Sequence, residues 1–167
     1  MAFSHEVSRH TTDDWLTPPH ILEALGPFDL DPCASMQQKW PTAARMLTQR
    51  ENGITAEWSG RVWLNPPLHE VRRWLRRMAQ HGNGIALTFC RTETRAFFES
   101  VWPKASALLF LFDRIWFIRA GALVPTRAPA PSVLIAYGRT NAEILRSCAI
   151  PGALVGPAIS LPDQFVE

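Results

Sequence analysis

Two short stretches of this chain place unusual chemistry where strands end. Asn65-Pro66-Pro67 stops a strand-like apolar run over residues 61–64, and Asp31-Pro32 stops another over residues 28–31. Consecutive prolines remove two backbone donors and fix two φ angles, so the chain is rigid at that point. Residues that precede proline are pushed out of the helical region, which holds Asn65 and Pro66 in an extended or turn conformation. A carboxamide oxygen and a bare carbonyl are then displayed together as a pair of acceptors. Such a pair suits an exocyclic amino group, which has two N–H bonds to donate. Accepting both also steers the nitrogen lone pair out of the ring plane and toward an electrophile. If that electrophile is a sulfonium methyl, no strong base is needed and transfer proceeds by positioning. Taken singly, Asn65-Pro66-Pro67 also reads as a stiff turn and Asp31 as a strand terminator.

The elements around these stretches decide between the readings. Helical patterning is expected over 20–25, 70–81, 93–102 and 140–148, the last with capping-box spacing from Thr140 to Glu143. Strands are expected over 28–31, 61–64, 85–89 and 107–112, with 115–118 and 132–137 as two strands of a late hairpin. The segment 119–131 between that pair, with Pro125, Pro129 and Pro131, reads as a long loop. Residues 43–47 are compatible with a helix, and Glu51-Asn52-Gly53 with a turn. Alternating strands and helices predict an α/β fold with a mostly parallel sheet and a C-terminal antiparallel hairpin. In open sheets of this kind ligands bind outside the carboxyl ends of the strands. Asp31-Pro32 and Asn65-Pro66-Pro67 should therefore face one crevice.

Composition narrows the classes. The 167 residues are 47% apolar and 19% charged, enough for one globular domain with a core. A polar, loose segment is expected over 1–14 and a single domain over 15–167. The formal charge of +2 is too small for a polycation, so an anionic partner must be met by local clusters. Three cysteines without CxxC spacing argue against a disulfide framework or a zinc knuckle, and the five histidines lack ligand spacing, so no metal is expected. The opening MAFSHEVSRHTTDDW has no apolar h-region and no run approaches membrane-spanning length, so neither export nor a membrane is expected.

Several motifs in this order resemble one family. Asn65-Pro66-Pro67 is similar to the catalytic motif of amino-methylating, S-adenosylmethionine-dependent DNA methyltransferases. Phe28-Asp29-Leu30-Asp31-Pro32-Cys33-Ala34-Ser35 resembles their first cofactor motif, and Trp15-Leu16-Thr17-Pro18-Pro19 the segment before it. The resemblance is closest to the compact phage and prophage N6-adenine methyltransferases (Dam-type). It runs from Trp15 to about Val155 and includes Trp58-x-Gly60-Arg61-Val62, Gly82-Asn83-Gly84-Ile85-Ala86-Leu87, Arg91-Thr92-x-Thr94 and Pro131-Ser132-Val133-Leu134-Ile135-Ala136-Tyr137-Gly138. It implies a Rossmann-like methyltransferase domain, S-adenosylmethionine as cofactor, double-stranded DNA with a flipped base as substrate, and a bacterial cytoplasm as setting. It also implies that Trp15, Thr17, Pro18, Asp31, Pro32, Cys33, Ala34 and Asn65 surround the cofactor. Asn65, Pro66, Pro67 and Leu68 would meet the target base, although the family's aromatic fourth motif position is Leu68 here. Cytosine-N4 transfer, or a weakened cofactor- and nucleic-acid-binding module, are the alternatives. A zinc nucleobase deaminase is excluded by the missing His-x-Glu and Pro-Cys-x-x-Cys ligands.

A second group of residues concerns affinity. On a helix over 70–81, Arg72, Arg73, Arg76 and Arg77 gather opposite Val71, Trp74, Leu75 and Met78. Their like-charge i,i+4 pairs repel by a few tenths of a kcal/mol, roughly, which a phosphate backbone would offset. The plain alternative is a solvated polar face. Arg119 and Arg127, within the proline-rich segment 119–131, are the other candidates for contact with DNA.

Overall fold

The computed structural model describes residues 14–119 and 124–156. Most of the segment expected to be loose, and residues 120–123 of the expected long loop, lie outside that description. Fully apolar runs need cover on both faces, and they form the centre of the sheet: β5 (Gly84–Phe89) and β9 (Ser132–Tyr137) are buried along their whole length. The seven-stranded sheet has the order β10 (Gly152–Val155), β6 (Ala107–Leu111), β9, β5, β4 (Val62–Leu64), β2 (Leu30–Asp31), β3 (Arg45–Met46). A smaller antiparallel sheet joins β1 (Trp15–Leu16), β7 (Trp116–Arg119) and β8 (Pro125–Arg127).

Side chains alternate across the large sheet and build a core on each face. On one face Trp63, Ile85, Leu87, Leu134 and Ala136 pack against α1 (Pro19–Leu25), α4 (Arg139–Ser147) and Phe117. On the other, Val62, Leu64, Ala86, Val133 and Ile135 pack against α2 (Val71–His81) and α3 (Arg95–Ser100). α2 buries Trp74, Leu75 and Met78 and closes at Gly82 in the left-handed conformation, whose N–H returns to the Met78 carbonyl.

The expected Rossmann-like, mostly parallel sheet with a terminal hairpin is corrected. Three ladders of the large sheet are parallel (β2–β3, β2–β4, β4–β5) and three antiparallel (β5–β9, β6–β9, β6–β10). The cause lies in the connection after β6. It is a β excursion through β7 and β8, not a helical crossover, so β9 re-enters from the end at which β6 left and runs against both neighbours. Nor do 115–118 and 132–137 pair with each other. β7 buries only Phe117 and leaves Trp116 exposed, which suits a half-covered small sheet, whereas β9 is buried throughout and inserts centrally. The segment read as loop also contributes β8.

Three local expectations change as well. Residues 45–46 form an edge strand instead of a helix, because Arg45 and Leu47 N–H groups satisfy the Asp29 and Asp31 carbonyls on the open side of β2. α4 begins at Arg139 after Gly138, with no side-chain cap. Asn141 is fully buried instead, donating to Tyr137 O and Asn83 Oδ1 and accepting from Arg61 Nε. β10 had no counterpart in the sequence reading.

Candidate active site

β2 and β4 are parallel neighbours, so their carboxyl ends emerge side by side. They open into a cleft of about 620 Å³ that is lined by Asp31, Pro32, Cys33, Ala34, Asn65, Pro66, Pro67 and Leu68. Trp15 of β1 and Thr17 just after that strand line it too, and Arg73 reaches it from the first turn of α2.

Asp31 is the charged group at the base. Only 3% of it is exposed, yet its carboxylate accepts from the Thr42 hydroxyl and from the Cys33 N–H at 3.0 Å. Burial raises its pKa to about 6, and those hydrogen bonds limit the rise. Cys33 lies between the two strand ends, with its thiol donating to the Asn65 carbonyl at 3.3 Å. Burial, and then the Asp31 carboxylate, push that thiol well above its ordinary range, so it stays protonated.

Asn65 is half-buried, and its amide nitrogen donates to the Trp15 carbonyl at 2.7 Å and the Thr17 hydroxyl at 3.1 Å. Both N–H bonds face β1, which leaves Oδ1 as an acceptor. Pro66 is buried, while Leu68 is 38% exposed and opens a 3-10 turn over Leu68–Glu70. An apolar side chain on that turn offers dispersion contact but no ring.

Opposite Asp31, the turn at Asn52-Gly53 presses on Pro32. A Cβ on Gly53 would lie 1.8 Å from the Pro32 carbonyl oxygen, so no side chain fits there. Trp58 Nε1 holds the turn by donating to the Gly53 carbonyl at 2.7 Å.

The remaining sequence candidates are spread out. Pro18 is the N-cap of α1. Arg72 makes a two-pronged pair with Glu99 of α3, both bonds at 2.8 Å, and Arg73 lies 3.7 Å from Glu70. Arg76 is exposed, whereas Arg77 stacks 5.2 Å over Trp58 and donates to the Ala56 carbonyl. Arg119 lies over the Trp15 ring at 5.5 Å, and Arg127 pairs with Asp113.

Several cleft residues carried no flag in the sequence reading. Thr42 sits in a stretch without periodicity. Trp74 looked like a core residue of α2, and Ser132 like a strand opening. Both line the cleft, and Trp74 Nε1 and Ser132 Oγ are buried without a hydrogen-bond partner among the described residues. Phe117 lines it too, brought there by the β1–β7 ladder. No group of His, Cys, Asp or Glu among the described residues could hold a metal ion, and no described helix is long and apolar enough to cross a membrane.

The cleft at the carboxyl ends of β2 and β4, which holds a carboxylate and an oriented asparagine followed by two prolines, is the candidate site. Comparison with known families places the chain. The family described as DNA N-6-adenine-methyltransferase (Dam) matches residues 4–147, most of the chain, and the chain belongs to it. It is a family of DNA methyltransferases. No curated protein and no solved structure matches the chain.

Proposed function

We propose that this protein transfers a methyl group from S-adenosylmethionine to the N6 amino group of adenine in DNA. One observation carries the reading beyond the family. Asn65 turns both amide N–H bonds toward β1 and keeps its oxygen for the cleft that Asp31 also lines. That oxygen, with the Pro66 carbonyl beside it, provides the two acceptors that an exocyclic amine requires.

The cleft suits the cofactor on three counts. Its volume lies within the usual range for small-ligand sites, about 300–1,000 Å³. The ionised Asp31 is a counter-charge for an ammonium or sulfonium. Trp74 Nε1 and Ser132 Oγ are buried polar atoms that a ligand would satisfy. When bound, S-adenosylmethionine supplies a methyl group already activated on a sulfonium. The protein's part is then to hold and to orient. Asp31 with Pro32, Cys33 and Ala34 holds the amino-acid end, and Trp15 and Thr17 form the facing wall, with Pro18 outside the lining. Asn65 and Pro66 fix the amine, and Pro67 with Leu68 supports the base by apolar contact. An adenine N6 is out of reach inside a duplex, so the base is flipped into the cleft. Arg73 at the rim is the first candidate for the flanking phosphate, with the exposed Arg76 further along α2. Arg72, Arg77, Arg119 and Arg127 each engage a protein partner before any phosphate.

The test is direct. The protein is incubated with methyl-labelled S-adenosylmethionine and unmethylated DNA, which is then digested to nucleosides and separated. Label in N6-methyladenine is expected. Label in N4-methylcytosine reassigns the base, and no label in either base overturns the proposal.

A further inference from the structure

Asn65 is oriented from a part of the chain 48 and 50 residues earlier. The Trp15 carbonyl can only accept, so an amide turned by 180° would set Oδ1 against another oxygen at about the 2.7 Å now occupied by the nitrogen. The carbonyl thus selects which end of the amide faces the cleft. It does not define the plane, because the terminal torsion of asparagine is broad and a single bond lets the group rock. The Thr17 hydroxyl takes the second N–H, and two acceptors on one nitrogen do define the plane. Thr17 cannot drift with it. Its side chain is 2% exposed, its carbonyl accepts from Trp40 Nε1 at 3.0 Å, and the preceding Leu16 is paired with Ile118 in β7.

We infer that Thr17 is a positioning residue for Asn65, its hydroxyl fixing the carboxamide plane so that Oδ1 is presented to the amine of the substrate base. The inference rests on reading the cleft as the methyl-transfer site. It gives Thr17 a role distinct from forming a wall of the cofactor pocket.

The experiment compares Thr17→Val, which keeps the shape and removes the hydroxyl, with Thr17→Ser, which keeps the hydroxyl. In ¹⁵N-labelled protein the Asn65 side-chain amide pair is assigned by its disappearance in Asn65→Ala. Both protons exchange slowly in the wild type. In Thr17→Val the proton facing residue 17 exchanges about fivefold faster or more, as loss of one hydrogen bond implies, and its partner toward Trp15 stays protected. Thr17→Ser restores it. In the methylation assay Thr17→Val lowers kcat about five- to tenfold with cofactor KM unchanged, and Thr17→Ser recovers most of it. Unchanged amide exchange in Thr17→Val overturns the inference. So does a defect that serine fails to rescue, or a loss confined to cofactor affinity. If the valine variant does not fold, Thr17→Ala is read in the same way. A wild type that transfers no methyl group refutes the proposed function, while the amide exchange still decides the role of Thr17.

Discussion

Replacing Asp31 by Asn removes a charge that the fold buries against its electrostatic preference. Both native hydrogen bonds have counterparts in the variant. One Asn oxygen can still accept the Cys33 N–H, and the amide nitrogen can face the Thr42 hydroxyl, which is able to accept. What changes is the cost of ionisation. The pKa of Asp31 rises from 3.8 to about 6 on folding, chiefly by burial. The folded state therefore binds the proton more tightly than the unfolded chain does. Below pH 3.8 the carboxyl is neutral in both states and contributes no difference. As pH rises from there to about 6, the unfolded chain ionises more readily and stability is lost. At about 1.36 kcal/mol per pH unit, the full loss is about 3 kcal/mol above pH 7 and about half of that at pH 5. Asp31→Asn escapes it, so the variant should be more stable by those amounts, with a Tm about 6–12 °C higher at neutral pH. The same substitution should weaken S-adenosylmethionine binding, since the counter-charge is gone. Wild-type cofactor affinity should strengthen up to about tenfold per unit as pH rises toward 6, and the variant's affinity should be flat. Urea unfolding at pH 5, 6, 7 and 8, with calorimetric titration of the cofactor, measures both. A variant less stable than wild type, or a stability gap that does not widen with pH, refutes the burial argument.

Asn65→Ala should collapse turnover while cofactor binding survives, because the lost acceptor acts mainly in the transition state; near-normal turnover would remove Asn65 from the site. Arg73→Ala with Arg76→Ala should reduce the salt slope of DNA binding by up to about two phosphate contacts, equally for any sequence, measured by titration at several salt concentrations. Arg77→Ala should instead lower stability by about 1 kcal/mol through loss of its stacking on Trp58 and its bond to Ala56, read by urea unfolding. Leu68→Tyr should strengthen binding of the flipped base by up to about 1–3 kcal/mol and leave cofactor affinity alone, and weaker DNA binding would show that the pocket was shaped for Leu.

Sequence alone determined what depends on neighbours a few residues apart. Proline fixes its own φ and restricts the residue before it, so the stops at Asp31-Pro32 and Asn65-Pro66-Pro67 were legible without any fold. The apolar stripe of α2, its stop at Gly82 and the buried run of β5 were legible for the same reason. Since parallel strands end on the same side, these stops also implied one shared crevice, and both do line the cleft. The direction of β9 could not be read this way. An apolar run states that a strand is central but not which way it runs; that was decided by how the chain returned from β7 and β8. The surroundings of the two key side chains were equally hidden. Thr42 reaches Asp31 across 11 residues, and Trp15 and Thr17 reach Asn65 across about 50, contacts that no periodicity encodes. A carboxylate and a carboxamide can thus be found by residue type, but the pKa of one and the orientation of the other are set by burial and by partners that only folding brings within hydrogen-bond distance.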